Sequence, residues 1–194
     1  MKRMLCYGDS NTWGNSAFSR GRIPSEKQWV NILQKELGND YMVLQEGMPG
    51  RVAGDLQIDE VWYNGRDVFR TLVISHSPLD IIIISLGTND FQIRYGRTAE
   101  QIAQDIMWYR DEVRNLIDGA TMPKIMIIAP IRFHSTPDYF EANDNLYETV
   151  TSNLKQQPEV VLIDDVELTD DGVHFTYAGH EKVAHDIAHL LRRE

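Results

Sequence analysis

Apolar and polar positions fall in blocks along this chain, and the plainest block is Asp80-Ile81-Ile82-Ile83-Ile84-Ser85-Leu86. Four isoleucines in a row leave neither face for water, so the segment predicts a central parallel strand covered by helices on both sides. Shorter apolar runs predict strands over Met4 to Tyr7, Tyr41 to Leu44, Lys124 to Ala129 and Val160 to Ile163. Between them the spacing turns helical. Ser25 with Gln28 reads as a capping box ahead of Trp29, Val30, Leu33 and Leu37, and Gly38 closes that helix. Asn64 is placed to cap a helix through about Ser75. Thr98 with Gln101 opens a run through Ile102, Ile106, Val113, Leu116 and Ile117 to Gly119. Residues 144 to 157 carry another helical segment, and Thr176 caps a last one with Val183, Ile187, Leu190 and Leu191 inside. Strands alternating with helices predict an α/β fold: three layers, α/β/α, around a doubly wound, parallel, five-stranded sheet with right-handed crossovers.

No repeat, low-complexity stretch or linker interrupts this pattern, which predicts one domain over residues 1–194. Apolar residues at 42% and charged residues at 25% fit an ordinary soluble protein, and no apolar run approaches the ~20 residues of a membrane span. A net charge of −10, with 19 basic residues scattered among 29 acids, argues against nucleic-acid or anionic-membrane partners. Cys6 is the one cysteine, so no intrachain disulfide can form, and its place in an apolar run predicts a buried, inert thiol in a reducing compartment. Four residues separate Arg3 from Gly8, short of the ~7–15 apolar residues of a signal core, so a cytoplasmic location is expected. The oligomeric state is left open.

Polar turns follow the first three strands: Gly8-Asp9-Ser10, Gly47 to Gly50, and Gly87-Thr88-Asn89-Asp90. Parallel strands all point one way, so these turns converge on one edge of the sheet, where open α/β proteins bind ligands. With Asp170-Asp171-Gly172-Val173-His174-Phe175 after the fifth strand, a serine, a carboxylate and an imidazole share that edge. Serine attacks only when a base takes its proton and a third group orients the base. Asp171 and His174, three residues apart, can do this from one loop, although an Asp-x-x-His step is also an ordinary helix start. The Asn89 side chain and the backbone N–H groups of Ser10 and Gly50 are candidate donors to an oxyanion, with plain turn residues as the alternative for each. Asp9, adjacent to Ser10, is expected to hold the turn.

Trp13, Phe91, Phe133 and Phe175, with Tyr95 and Tyr177, flank these loops and are candidates for an apolar pocket wall, or equally for core packing. The loop from Gly14 to Pro24 is too short for a lid, which favours an open site and short acyl chains. His185 and His189 stand four apart on the last helix, but with no Glu between them and no third ligand they read as a solvated face, and no metal or cofactor is expected. His76, His134 and His180 have no partner recognisable in the sequence.

The order of Gly8-Asp9-Ser10, a Gly-containing second block, Gly87-Thr88-Asn89-Asp90 and Asp171-x-x-His174 resembles the SGNH hydrolases, the GDSL-type esterases. Gly8-Asp9-Ser10-Asn11-Thr12-Trp13-Gly14, Glu46-Gly47 and Asp171-Gly172-Val173-His174-Phe175-Thr176 are similar to the arylesterase and acyltransferase branch. The resemblance implies a flavodoxin-like α/β/α fold and acyl transfer through a serine ester, with Ser10 as nucleophile, His174 as base and Asp171 as its orienting carboxylate. It also implies Ser10, Gly50 and Asn89 as oxyanion donors. The second block departs from the common pattern, since many members have Asn where Glu46 stands and Ser where Pro49 stands. The implied activity is hydrolysis of a small-molecule ester. Transfer to alcohols or sugar hydroxyls and deacetylation of a carbohydrate are alternatives within catalysis, and a silent binding protein on the same fold is the rival outside it.

Overall fold

The computed structural model describes residues 1–16, 21–56, 63–117, 119–133, 140 and 144–193, and the four isoleucines lie at its centre. Strand β3 (Ile81–Ser85) runs between β1 (Lys2–Gly8) and β4 (Lys124–Ile128), with β2 (Tyr41–Gly47) outside β1 and β5 (Val160–Val161) outside β4. All pairings are parallel. Side chains alternate along β3 and divide the core in two. Ile81 and Ile83 pack with Trp29, Val30 and Leu33 of helix α2 (Trp29–Leu37) and with Val183, Ala184 and Ile187 of helix α6 (Tyr177–Arg192). Ile82 and Ile84 face Phe69 and Val73 of α3 (Gly65–His76), Ile102, Ile106 and Val113 of α4 (Ala99–Leu116), and Val150 and Leu154 of α5 (Asp144–Leu154). The result is the expected three-layer α/β/α arrangement. Cys6 is fully buried, and burial drives its thiol pKa far upward. Among the described residues, no helix is long and apolar enough to cross a membrane.

Helix starts follow the sequence where the cap is free to act locally. Thr98 and Gln101 form the full capping box of α4, and the Thr176 hydroxyl accepts from Gly179 N at the start of α6 (3.1 Å). The Ser25–Gln28 box does not form. Residues Ser25–Lys27 make a 3₁₀ turn, and the buried Gln28 side chain donates to the Ile23 carbonyl (2.9 Å) instead of capping α2. Asn64 precedes α3 but gives its amide to both backbone groups of Leu56 (2.9 Å each). In both cases a tertiary demand for a buried polar group outweighs the local cap.

Strand lengths differ from expectation for similar reasons. β2 continues three residues beyond Leu44, through polar Gln45 and Glu46, because every residue from Tyr41 to Gly47 pairs with one of β1. β5 stops at Val161, level with the end of β4, and Pro130 beyond it has no N–H to continue a ladder.

The order β2-β1-β3-β4-β5 reverses direction between β1 and β3, the switch point at which open α/β sheets form their crevice. At that edge Gly8 is level with both Gly47 and Ser85. A short helix α1 (Ser10–Trp13) lies across the strand ends, and a side chain on Gly47 would collide with the Trp13 backbone nitrogen and come within 2.6 Å of its Cα. Gly47→Ala must therefore displace α1. It is expected to lower the unfolding free energy by about 1–3 kcal/mol in urea, the usual cost of overpacking, and an unchanged midpoint would show that α1 does not rest on β2.

Candidate active site

Ser10 is the first residue of α1, so its backbone N–H has no partner within the helix. Asp9 caps the helix, its carboxylate accepting from Asn11 N (3.0 Å), and Gly14 closes it in the left-handed region at φ 87°. Asp9 is buried, which raises its pKa to about 6 against the lowering effect of the Asn11 N–H, His174, Arg51 and the Thr88 side chain. It holds the turn, as the spacing anticipates.

The segment after β5 is a tight hairpin. Thr169 N donates to His174 O and Gly172 N to Thr169 O (2.8 Å each), Gly172 adopting φ 68°. Inside it, Asp171 Oδ1 accepts from Thr169 Oγ1, Val173 N and His174 N, each at 2.9 Å, and Oδ2 takes His174 Nδ1 at 2.7 Å. Nε2 on the other side of the ring lies 3.1 Å from Ser10 Oγ. Burial works against the charge on Asp171, but the bonds from the His174 backbone and ring and from Val173 N outweigh it and hold the pKa at about 2. Asp170 is exposed. Asn11 ties the hairpin to α1, donating to Val173 O (3.1 Å) and accepting from Phe175 N (3.0 Å).

The other two loops are fixed by carboxylate and amide bonds. Met48-Pro49-Gly50-Arg51 forms a turn closed by Arg51 N to Met48 O (3.2 Å), with Gly50 at φ 76°. Proline second and a left-handed glycine third are the marks of a type II turn, so Pro49 pre-sets the backbone at this departure from the family pattern. Asp90 accepts from Ala53 N (2.8 Å) and Gly54 N (2.9 Å), binding the third loop to the second, and its burial lifts its pKa to about 6. The Asn89 amide donates one N–H to Arg51 O (3.0 Å) while Gln92 Nε2 holds its oxygen (3.1 Å), so the second N–H remains for a ligand. Arg51 is buried over the Tyr7 ring and donates to Gly8 O (2.9 Å) and Glu46 O (2.6 Å), and Glu46 also pairs with His76 (2.8 Å).

These loops surround a cavity of about 400 Å³. Ser10, His174, Asn89 and Gly50 all line it, so the predicted triad and oxyanion residues are brought together. The four predicted aromatics are not among its lining. Phe91, Phe133 and Phe175 are buried in the core, Phe91 edge-to-face with Phe133 (5.1 Å) and Phe175 against His180 (5.3 Å), and Trp13 lies under Arg22. Core packing claimed the three phenylalanines, while Trp13 stays half-buried. The walls are instead Pro49, Val173 and Phe140, with Asn15, Gln92 and Arg94 as polar groups. Asn15 Nδ2 lies 3.2 Å from His174 Nε2. Gln92 and Arg94 had one sequence signal, their position just after the Gly87–Asp90 block.

The remaining histidines lie elsewhere. His185 pairs with Glu36 (2.5 Å) and His189 is exposed. His180 is buried, accepts from Trp29 N (3.3 Å) and has its pKa lowered to about 4 by burial. His134 lies outside the described residues. Among those residues, no group of three His, Cys, Asp or Glu is placed to hold a metal ion.

The profile of the GDSL-like lipase/acylhydrolase family matches residues 6–182. A carbohydrate acetylesterase family member from Sinorhizobium meliloti is 28% identical and superposes with a TM-score of 0.87 over 100% of this chain and 98% of its own. Est24, a carbohydrate acetylesterase from the same organism, is 26% identical with a TM-score of 0.89, covering 100% and 99%. The native aryl esterase of M. smegmatis is 27% identical with a TM-score of 0.88, covering 100% and 99%. No curated protein matched the chain.

Asp171 ties protonation to stability. Its folded pKa of about 2 lies below the ordinary 3.8, so its stabilisation is complete above about pH 4 and is lost as pH falls towards 2. Asp9 and Asp90, raised to about 6, act in the opposite sense, costing stability as pH rises from about 4 to 6. The difference in unfolding free energy between wild type and Asp171→Asn isolates the first effect. It should be largest above pH 4 and shrink towards pH 2, whereas a pH-independent difference would exclude a stabilised carboxylate.

Proposed function

The chain belongs to the GDSL-like lipase/acylhydrolase family and is an ester hydrolase; from that premise we propose that it cleaves short-chain carboxylic esters through an acyl-enzyme on Ser10. The observation that carries this reading is the unbroken relay from Asp171 Oδ2 through the His174 ring to Ser10 Oγ, at 2.7 and 3.1 Å. Ser10 Oγ attacks the ester carbonyl as its proton passes to His174 Nε2. Asp171, ionised far below neutral pH, holds the ring and stabilises the imidazolium. Charge developing on the carbonyl oxygen is met by the backbone N–H groups of Ser10 and Gly50 and the free N–H of Asn89. As the intermediate collapses, His174 returns the proton to the departing alcohol oxygen. Water, deprotonated in turn by His174, then releases the acid and restores Ser10.

Hydrolysis is favoured over transfer by access: His174, the base that would activate water, has a side chain 19% exposed. A cavity of about 400 Å³, with Phe140 as an aromatic wall, has room for a small ester with an acetyl or similarly short acyl group. Acetyl esters of carbohydrates are the second reading. The acetylesterase neighbours and the Asn15 and Gln92 side chains, able to bond hydroxyl groups, favour it.

Turnover of p-nitrophenyl acetate should fall on the order of a millionfold in Ser10→Ala and in His174→Ala. Asn89→Ala should lose about 10²–10³-fold in kcat. An organophosphate should label the wild type and not Ser10→Ala, and near-wild-type turnover by that variant would remove Ser10 from the mechanism.

A further inference from the structure

Among the described residues that line the cavity beside Ser10, Arg94 carries the one permanent charge and no carboxylate is present, although the chain as a whole carries −10. Other arginines meet acids or carbonyls: Arg66 and Arg97 share Asp105, Arg110 and Arg114 reach Glu159, Arg132 meets Asp144 and Glu148, and Arg3 and Arg51 are held by backbone carbonyls. Among the described residues, Arg94 has no such partner. Its guanidinium stacks 4.7 Å from the Tyr95 ring centroid and Nη2 donates to the Tyr95 hydroxyl (2.7 Å), which fixes the planar group and spends one of its five N–H donors. A guanidinium held in place, with most of its donors free and no acid beside it among the described lining residues, is built to receive an oxyanion.

The position of Arg94 says which half of an ester would carry that anion. Ser10, Gly50 and Asn89 converge on the carbonyl, where a short acyl chain ends, whereas Arg94 is solvent-exposed. What extends from the carbonyl to an exposed side chain is the departing half. Resting on the ester-hydrolase reading of Ser10, we propose that Arg94 is a specificity-determining residue that selects esters whose alcohol portion bears a carboxylate or another oxyanion. It acts in binding and has no part in proton transfer.

The test compares 4-acetoxybenzoate with 4-acetoxybenzamide, which share the acyl group and the shape of the leaving group but differ by one charge. The ratio of their kcat/KM values in wild type, divided by the same ratio in Arg94→Gln, cancels their different intrinsic reactivity. This quotient should be about two- to fivefold, the scale of an exposed ion pair, and should shrink in 1 M salt. Arg94→Lys should keep part of it. Equal ratios in wild type and Arg94→Gln would overturn the proposal while leaving the Ser10 mechanism standing. Absence of turnover on both esters would instead tell against hydrolysis of aryl acetates, the reading on which the comparison rests. Calorimetric binding of 4-hydroxybenzoate against 4-hydroxybenzamide then decides, with an anion preference lost in Arg94→Gln supporting the role and a preference unaffected by it overturning it.

Discussion

Everything at the functional edge depends on a steric condition, that β1 and β2 end level at two residues without side chains. Gly8 pairs with Gly47; a Cβ on Gly47 would collide with the α1 backbone at Trp13, and one on Gly8 with the Thr12 side chain and the Ser85 carbonyl. Because the helix rests on the strands directly, Ser10 is placed by the sheet itself and not by a loop. The register carries this placement sideways to β3, whose last residue Ser85 is also level with Gly8. The loop that continues from β3 thus brings Asn89 to the same height. The isoleucines of β3 matter to chemistry for this reason: buried on both faces, they anchor the register from which three loops depart.

From that edge outward, order is imposed by polar groups that would be costly to bury unpaired. Asp9, Asp90 and Asp171 each spend their oxygens on backbone N–H groups, so each fixes the course of a loop: α1, the segment after Gly50, and the histidine hairpin. The three differ in how far burial is repaid. Asp9 and Asp90, almost fully buried, keep raised pKa values despite their bonds. Asp171, better exposed and touching the His174 ring as well, is driven low. The carboxylate that faces the chemistry is thus the one most firmly ionised.

The features legible in the sequence were those in which the deciding interaction is local or periodic. A run of isoleucines can only be buried on both faces, Thr98 and Gln101 satisfy each other within one helical turn, and an Asp-x-x-His step needs four residues to close. Illegible features were settled by partners outside the helix that the cap would have started. Gln28 abandoned its cap for the Ile23 carbonyl, and Asn64 for Leu56, because each is buried by elements its own neighbourhood does not contain. The aromatic residues around the loops carried no sign of which side of the sheet edge they would occupy, and the core took Phe91, Phe133 and Phe175. Polar cavity residues such as Asn15, Gln92 and Arg94 break no pattern in one dimension, so only the folded loops show that they face the same space as Ser10.

A relay assembled from positions 10 and 174 looks demanding, since most of the chain separates its members, but the structure divides the task. The contact between Asp171 and His174 is made within one hairpin and needs nothing from the rest of the fold. The placement of Ser10 is made by β1 and α1, with α1 resting on the end of β2. One long-range fit remains, between α1 and the hairpin, and the residue next to the nucleophile performs it: Asn11 bonds backbone on both sides of His174, at Val173 and Phe175. Two donor–acceptor bonds to fixed backbone groups restrict translation and rotation of the hairpin together, which a packing contact alone would not. The distance from imidazole to hydroxyl is therefore set by backbone geometry at both ends, with the flexible side chains of Ser10 and His174 left to cover only the last few ångströms.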